Sequence, residues 1–518
     1  MTDADRPSSN AVLAIRVIAA ATLLRLLVAT TLPLGVDESY EAVVSRTLSL
    51  SYFDHPPAVF WLTHAAAALG GESPFALRWP FVLLFALTSW LLFRLTARLF
   101  GCRAACWATI AAQIIPVFSL SSGGWVLPDG PLLCASVAVA LALAHALPVG
   151  TVTHLARTDD AAWSAWLLVG CALGIAGLSK YHAALLGLGA LVFIASDVQT
   201  RRWFTRVQPY AAVLVACVMV LPVFVWNAQH DWVSFRFQGG RAAGTGNPIT
   251  AVLQNVAGQA GYLLPWFWGP LIVLMVRGLR TGPRDRAVWF CVCLGAPPVV
   301  VFTLASLGGR AGLPHWPALG YFLLLPLLGA AIARWERRSP DVARRRMQTA
   351  AGVYVGLVLI VVTHAATGWM ASVVPSLHRR DPAFELLEYR SLRDTLMASG
   401  LLQRAGYVAT TDWLRASKIG YAMGPAYPVL VLNDDARHFR YATDPASLRD
   451  RDGVLLVRMP AMIIADSARA TATRYASMFD SLNFVRTVPV LRGADTALTL
   501  GVFTATRLRG VWPAPAQR

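Results

Sequence analysis

Charge is scarce in this chain. Asp, Glu, Lys and Arg together make up 14% of its 518 residues, and mean hydropathy is +0.53, which excludes an ordinary soluble domain. Acidic residues are the rarer sign, 28 against 45 basic ones. Lysine is nearly missing: before Lys418 the chain holds Lys180 alone. Cysteine is sparse as well. All seven (102, 106, 134, 171, 217, 291 and 293) lie within or beside apolar runs, and none follows Cys293. Disulfides therefore do not hold any outer part of the molecule together. No internal repeat and no low-complexity segment is found, which speaks against transporters built from repeats.

What is abundant is apolar sequence. Runs of roughly 18 or more apolar residues recur over the first 370 positions, each long enough to cross a bilayer. The net charge of +17 is not a nucleic-acid signature, because the arginines cluster between apolar runs as positive-inside loops do. One such cluster is Arg94, Arg98 and Arg103, and a second is Arg201, Arg202 and Arg206. A third runs from Arg277 to Arg286, and a fourth from Arg334 to Arg346. Every second connection carries Arg except a weakly charged one near Arg157. This alternation predicts about eleven spans with the N-terminus inside and the C-terminus outside. The polar leader Met1 to Asn10 shows no small-residue cleavage site, so the first apolar run reads as an uncleaved span.

The loop over residues 35–74 is too long for a turn. It carries two helical pieces, Glu41–Ser51 and Val59–Leu69, expected to lie in the membrane interface. From about Trp369 the character changes. Charge density rises, and β-prone runs such as Pro428–Leu432 and Gly453–Val457 alternate with helical ones such as Ala383–Ser399. The fold class is thus an all-α polytopic membrane protein with a small C-terminal α/β domain on its outer face. The domains expected are 1–368, including the first outer loop 35–74, and 369–518.

On this topology the unusual polar groups gather on one face: Asp37, Glu38, Asp54, His55, Asp129, Lys180, His230, Asp231, Arg310 and His315. Ionisable groups near a membrane are costly and mark function by default. Carboxylates there could deprotonate an acceptor hydroxyl, and cations could bind a leaving phosphate. Each residue has a plainer use. Asp37, Glu38 and Asp129 could cap helices, and Lys180 could snorkel to headgroups. His55 and His315 precede prolines and could end helices, while the His230–Asp231 pair is a weak metal signal.

Six segments carry a resemblance. They are Asp37-Glu38-Ser39-Tyr40, Tyr52-Phe53-Asp54-His55-Pro56-Pro57, Pro128-Asp129, Leu178-Ser179-Lys180-Tyr181, Trp226-Asn227-Ala228-Gln229-His230-Asp231-Trp232 and His315-Trp316-Pro317-Ala318. In this order they resemble the GT-C membrane glycosyltransferases. More closely, they resemble the dolichyl-phosphate-mannose protein mannosyltransferase-like group (glycosyltransferase family 39), which includes the lipid A aminoarabinose transferases. The resemblance covers about the first 330 residues. It implies an enzyme that takes a sugar from a polyprenyl phosphate on the periplasmic face. Inverting transfer is expected, and the preference for Arg over Lys with short loops points to a bacterial inner membrane. The acceptor would be a lipid, a glycan such as lipopolysaccharide, or a protein.

By the same resemblance Asp37 is the base, with Asp129, and Glu38 beside Asp37, supporting it. Lys180, His55 and Arg310 meet the donor phosphate, while Tyr40, Asp54, Tyr181, His230 and His315 line the substrate site. No cofactor is required, although a divalent metal could assist, and nucleic acid is not a partner. One departure stands out: the aminoarabinose transferases carry Glu-Lys-Pro-Pro where this chain has Asp54-His55-Pro56-Pro57, which argues against an identical substrate. The rival class is a transporter or lipid flippase using the same carboxylates as proton or ion sites.

Overall fold

The computed structural model describes residues 7–149, 159–241, 244–374, 376–377, 381–460, 463–493 and 495–510. The connection near Arg157 lies outside them. The chain divides into two compact units. One comprises Met1–Thr30, Ser49–Val59 and Arg78–Val355, and the other Thr31–Leu48, Phe60–Leu77 and Gly356–Arg518.

The first unit is helical and carries most of the membrane-spanning part; the spans over 74–100 and 340–367 also include residues of the second unit. Eight described helices are long and apolar enough to cross a membrane, or nine when a bent pair counts as one span. In order they include α1 (Pro7–Thr31), the helix over 74–100 and α6 (Asp129–Ala146). Then follow α7 (Asp159–Ser179), α9 (Val207–Gln229), α13 (Arg286–Ala305), α14 (Ala318–Arg338) and α15 (Pro340–Thr367). Three of the expected spans take other forms. The third is a 13-residue helix, α5 (Cys102–Ile114), followed by a π-helical stretch over Val117–Ser122. Pro116 stands at the break, where its missing N–H cannot continue the ladder. The sixth is the 14-residue α8 (Ala183–Ser196). The eighth is a pair, α11 (Pro248–Leu263) and α12 (Pro265–Thr281), bent by 112°.

Small residues let these helices approach closely, as expected where lipid supplies no hydrophobic drive between them. A Cβ on Gly329 of α14 would run into the backbone oxygen of Ala104 on α5, and one on Gly189 of α8 into that of Cys293 on α13. Two polar networks inside the bundle join helices. The Gln259 side chain accepts from Tyr321 Oη (2.5 Å) and donates to Asn255 and Thr303 (2.5 and 3.0 Å), and Asn255 reaches the Ala311 carbonyl (2.6 Å). This network ties the corner of the bent pair to α13 and α14. At the Arg-rich end, buried Glu336 accepts from Arg103 Nε (2.8 Å), Trp107 Nε1 (2.7 Å) and Arg344 Nε (3.1 Å), clamping α5, α14 and α15.

The second unit holds the C-terminal sheet. Its strands β1 (Tyr407–Thr410), β2 (Val429–Val431), β3 (Gly453–Met459), β4 (Phe479–Arg492) and β5 (Asp495–Leu508) lie in the order β2-β1-β3-β5-β4. The first three are parallel, and β5 and β4 close the sheet antiparallel. Both expected β-runs are strands. The expected helix over 383–399 is a 3-10 turn over Pro382–Leu386 and then a helix over Arg390–Ala398.

The same unit takes in part of the first outer loop. Helix α2 (Val36–Val44) starts earlier than its apolar pattern suggests, because the Gly35 N–H is held by Glu38 Oε2 at 2.8 Å. Seven of its nine residues are buried, so α2 packs in protein rather than lying in the membrane interface. The helix over Trp413–Met423 packs on it, and Lys418 Nζ donates to the Leu34 carbonyl at 2.6 Å. Arg46 forks onto Glu72 (2.8 and 2.7 Å) and reaches the Gly420 carbonyl (3.0 Å).

Candidate active site

In the first unit, Asp129 opens α6 and Lys180 follows α7. Asp129 sits in the first turn, where the helix dipole favours a carboxylate. The Lys180 N–H still bonds back to the Ala176 carbonyl (3.0 Å), so its side chain is aimed by the helix end. Lys180 Nζ then donates to both oxygens of Asp129, at 2.9 and 2.8 Å. Lys180 is 5% exposed. A buried pair of this kind costs about 3–5 kcal/mol to break from one side, so the two side chains fix each other's position.

Three imidazoles surround the pair electrostatically: His55, His182 and His315. Burial, first of all, lowers their pKa values, to about 4 for His55 and His315 and well below the usual value for His182. At His55, Asp54 pulls in the opposite direction, whereas Lys180 and Arg241 add to the lowering. At neutral pH all three rings are uncharged and offer one donor and one acceptor each. His55 Nδ1 and His182 Nε2 are buried without a hydrogen-bond partner among the described residues. Buried polar atoms are normally satisfied, so these two nitrogens are suited to a polar ligand.

The surrounding loops are pinned by the segment from Trp226 to Gln238. The Asn227 carbonyl accepts from the His230 and Trp232 N–H groups (3.1 and 2.8 Å), while Asp231 and Trp232 turn through positive φ (53° and 56°). The turn leads into α10 (Val233–Gly240). There Ser234 Oγ donates to the Tyr52 carbonyl (3.1 Å) and Gln238 Nε2 to the Asp54 carbonyl (2.5 Å). Asp54 and His55 are thereby fixed through their backbone. The His230 ring lies on Trp226 (4.0 Å between centroids), its Nδ1 against the Trp226 carbonyl at 2.7 Å, and Tyr181 packs on Phe235 (5.2 Å). The Arg241 guanidinium lies over Trp316 (4.8 Å) and Phe237 (5.5 Å).

Among residues singled out in the sequence, Asp54, His55, Asp129, Lys180, Tyr181, His230 and His315 all fall in this unit. Arg310 does too, but it is exposed, and Arg241 is the arginine that acts on His55 and His315. His182 and Arg241 were not anticipated. His182 adjoins Lys180-Tyr181 and could have been read from that adjacency; Arg241, in a Gly-rich loop, carries no signal of its own. Asp37, Glu38 and Tyr40 fall in the second unit. Asp37 is exposed in the first turn of α2, and Glu38 is buried and caps it. Tyr40 meets Phe60, Trp413 and Phe439 edge-on and accepts the His438 N–H at 3.1 Å, so it packs the second unit. Among the described residues, no group of three or more His, Cys, Asp or Glu side chains is arranged to hold a metal ion.

Solved structures include a close fold match. ArnT from Cupriavidus metallidurans superposes with a TM-score of 0.63 at 17% identity, covering 94% of this chain and 97% of that one. The chain has the GT-C fold. Residues 54–226 match the family model described as dolichyl-phosphate-mannose-protein mannosyltransferase. The chain is 26% identical over 305 residues to a lipid A galacturonosyltransferase, RgtD, of Rhizobium johnstonii, covering 58% of this GT-C chain and 60% of that relative's length. It is 24% identical over 412 residues to the undecaprenyl phosphate-alpha-4-amino-4-deoxy-L-arabinose arabinosyl transferase 2 of Proteus mirabilis, covering 74% and 68%. The resemblance carried by the six sequence segments is borne out.

Proposed function

We propose that the protein is a glycosyltransferase that moves a sugar from a polyprenyl phosphate to an acceptor hydroxyl at the membrane face bearing Lys180. The observation that carries the reading is the buried Lys180–Asp129 pair beside His55 Nδ1 and His182 Nε2, both buried without a hydrogen-bond partner among the described residues. A polyprenyl phosphate brings an anion that Lys180 can meet and oxygens that neutral imidazole N–H groups can bind. In the reaction the acceptor oxygen bonds to the anomeric carbon, and the bond from that carbon to the phosphate oxygen breaks. The bonding electrons leave with the phosphate, and positioned cations stabilise that charge. Asp129 holds and orients Lys180. The base that takes the acceptor proton is assigned to Asp37 from the motif resemblance. Inversion follows from a single in-line displacement.

The relatives' names support the donor and acceptor classes. The Proteus protein is named for an undecaprenyl phosphate sugar, and the Rhizobium protein for lipid A. We therefore propose a cell-envelope glycolipid as acceptor, and the periplasmic face of an inner membrane as the place of transfer. The test compares lipid extracts by mass spectrometry from cells with the intact chain, without it, and with Asp37→Asn or Lys180→Ala. A polyprenyl-phosphate sugar that builds up in the last three, with loss of one glycosylated lipid, supports transfer. Unchanged extracts in all the variants would sink it.

A further inference from the structure

The first unit holds a cavity lined by none of the residues of the site described above. It measures about 590 Å³, within the roughly 300–1,000 Å³ typical of ligand pockets. Apolar side chains of α12, α14 and α15 wall it, among them Trp266, Phe267, Leu328, Ala331 and Trp335, and Arg346 is its one charged wall residue. The cavity lies along the second half of α14. That helix begins just after His315 and runs 21 residues to Arg338, about 30 Å at 1.5 Å per residue. Its far half is thus the Arg-rich end, away from Lys180.

Three observations define an occupant. Walls of Leu, Phe, Ala and Trp fit hydrocarbon. Arg346 forms no ion pair with any described residue, whereas its neighbour Arg344 is held by Glu336. Trp266 and Trp335 are 44% and 37% exposed, in keeping with amphipathic rings where acyl chains meet headgroups. A lone cation beside an apolar trough bordered by Trp complements an anionic lipid.

We propose that this cavity holds an acyl chain of an anionic glycerophospholipid, with Arg346 against its phosphate. The carrier polyprenyl phosphate is not the occupant, because its phosphate belongs at Lys180, near the other end of α14.

The test uses the purified full chain in phosphatidylcholine nanodiscs titrated with phosphatidylglycerol, with retained lipid read by native mass spectrometry. The intact chain and Arg345→Ala retain one phosphatidylglycerol. Arg346→Ala binds it about five-fold more weakly, the equivalent of about 1 kcal/mol for one basic residue at an anionic surface. Ala331→Trp fills the cavity and abolishes retention; should it not fold, Arg346→Ala carries the comparison. Equal weakening by Arg345→Ala and Arg346→Ala, equal retention of phosphatidylcholine, or recovery of a polyprenyl phosphate in place of the phospholipid would each overturn the proposal.

Discussion

Lys180 is held by Asp129, and the three imidazoles around them stay neutral because burial penalises their charged forms. This has a signed consequence. A histidine with a folded pKa near 4 and an unfolded value near 6.5 binds fewer protons folded than unfolded between those limits. Its contribution to stability is present above pH 6.5 and is lost as pH falls toward 4. Each such proton is worth about 1.4 kcal/mol per pH unit. Thermal unfolding in detergent should therefore shift to lower temperature between pH 7 and 5, and His55→Asn should flatten that slope. An unchanged slope would show that His55 is not buried uncharged.

At the scale of elements, most local choices follow from the residues alone. Pro116 breaks the third span and Pro265 follows the corner between α11 and α12. Glu38 starts α2 by binding the Gly35 N–H, the plainer use considered for it at the outset. The clamp on Glu336 is a tertiary matter, since Arg103 is 233 positions away. Replacing Glu336 by Gln removes the charge that Arg103 and Arg344 share and should destabilise the chain by about 1.5–3 kcal/mol. Tryptophan fluorescence on heating in detergent reads this, and a midpoint equal to that of the intact chain would mean the clamp carries no weight.

At the scale of the whole molecule, the first outer loop is divided. Thr31–Leu48 and Phe60–Leu77 build the second unit, while Ser49–Val59 belongs to the first. A chain ending at residue 368 loses the helix over Trp413–Met423 that covers α2, the Lys418 bond to Leu34 and the Gly420 contact of Arg46. Limited trypsin digestion should cut such a chain at Arg46 and spare the full one. Equal resistance would mean that α2 keeps its place without the C-terminal sheet.

Periodicity, Arg clusters and the six motif segments were enough for an all-α polytopic membrane protein, a small C-terminal α/β region and a resemblance to the GT-C group. Those are local properties, written in runs of adjacent residues whose burial in lipid or in a strand depends little on distant partners. Tertiary structure decided which polar residues meet. Asp129 and Lys180 lie 51 positions apart, and no spacing rule joins them. Arg241 replaced Arg310 beside the imidazoles because loop geometry, not composition, aims a side chain. Tyr40 became a packing residue because Phe60, Trp413 and Phe439 surround it. Pairings across a chain are set by the burial and charge that remain once every element is in place, and no single segment carries that information.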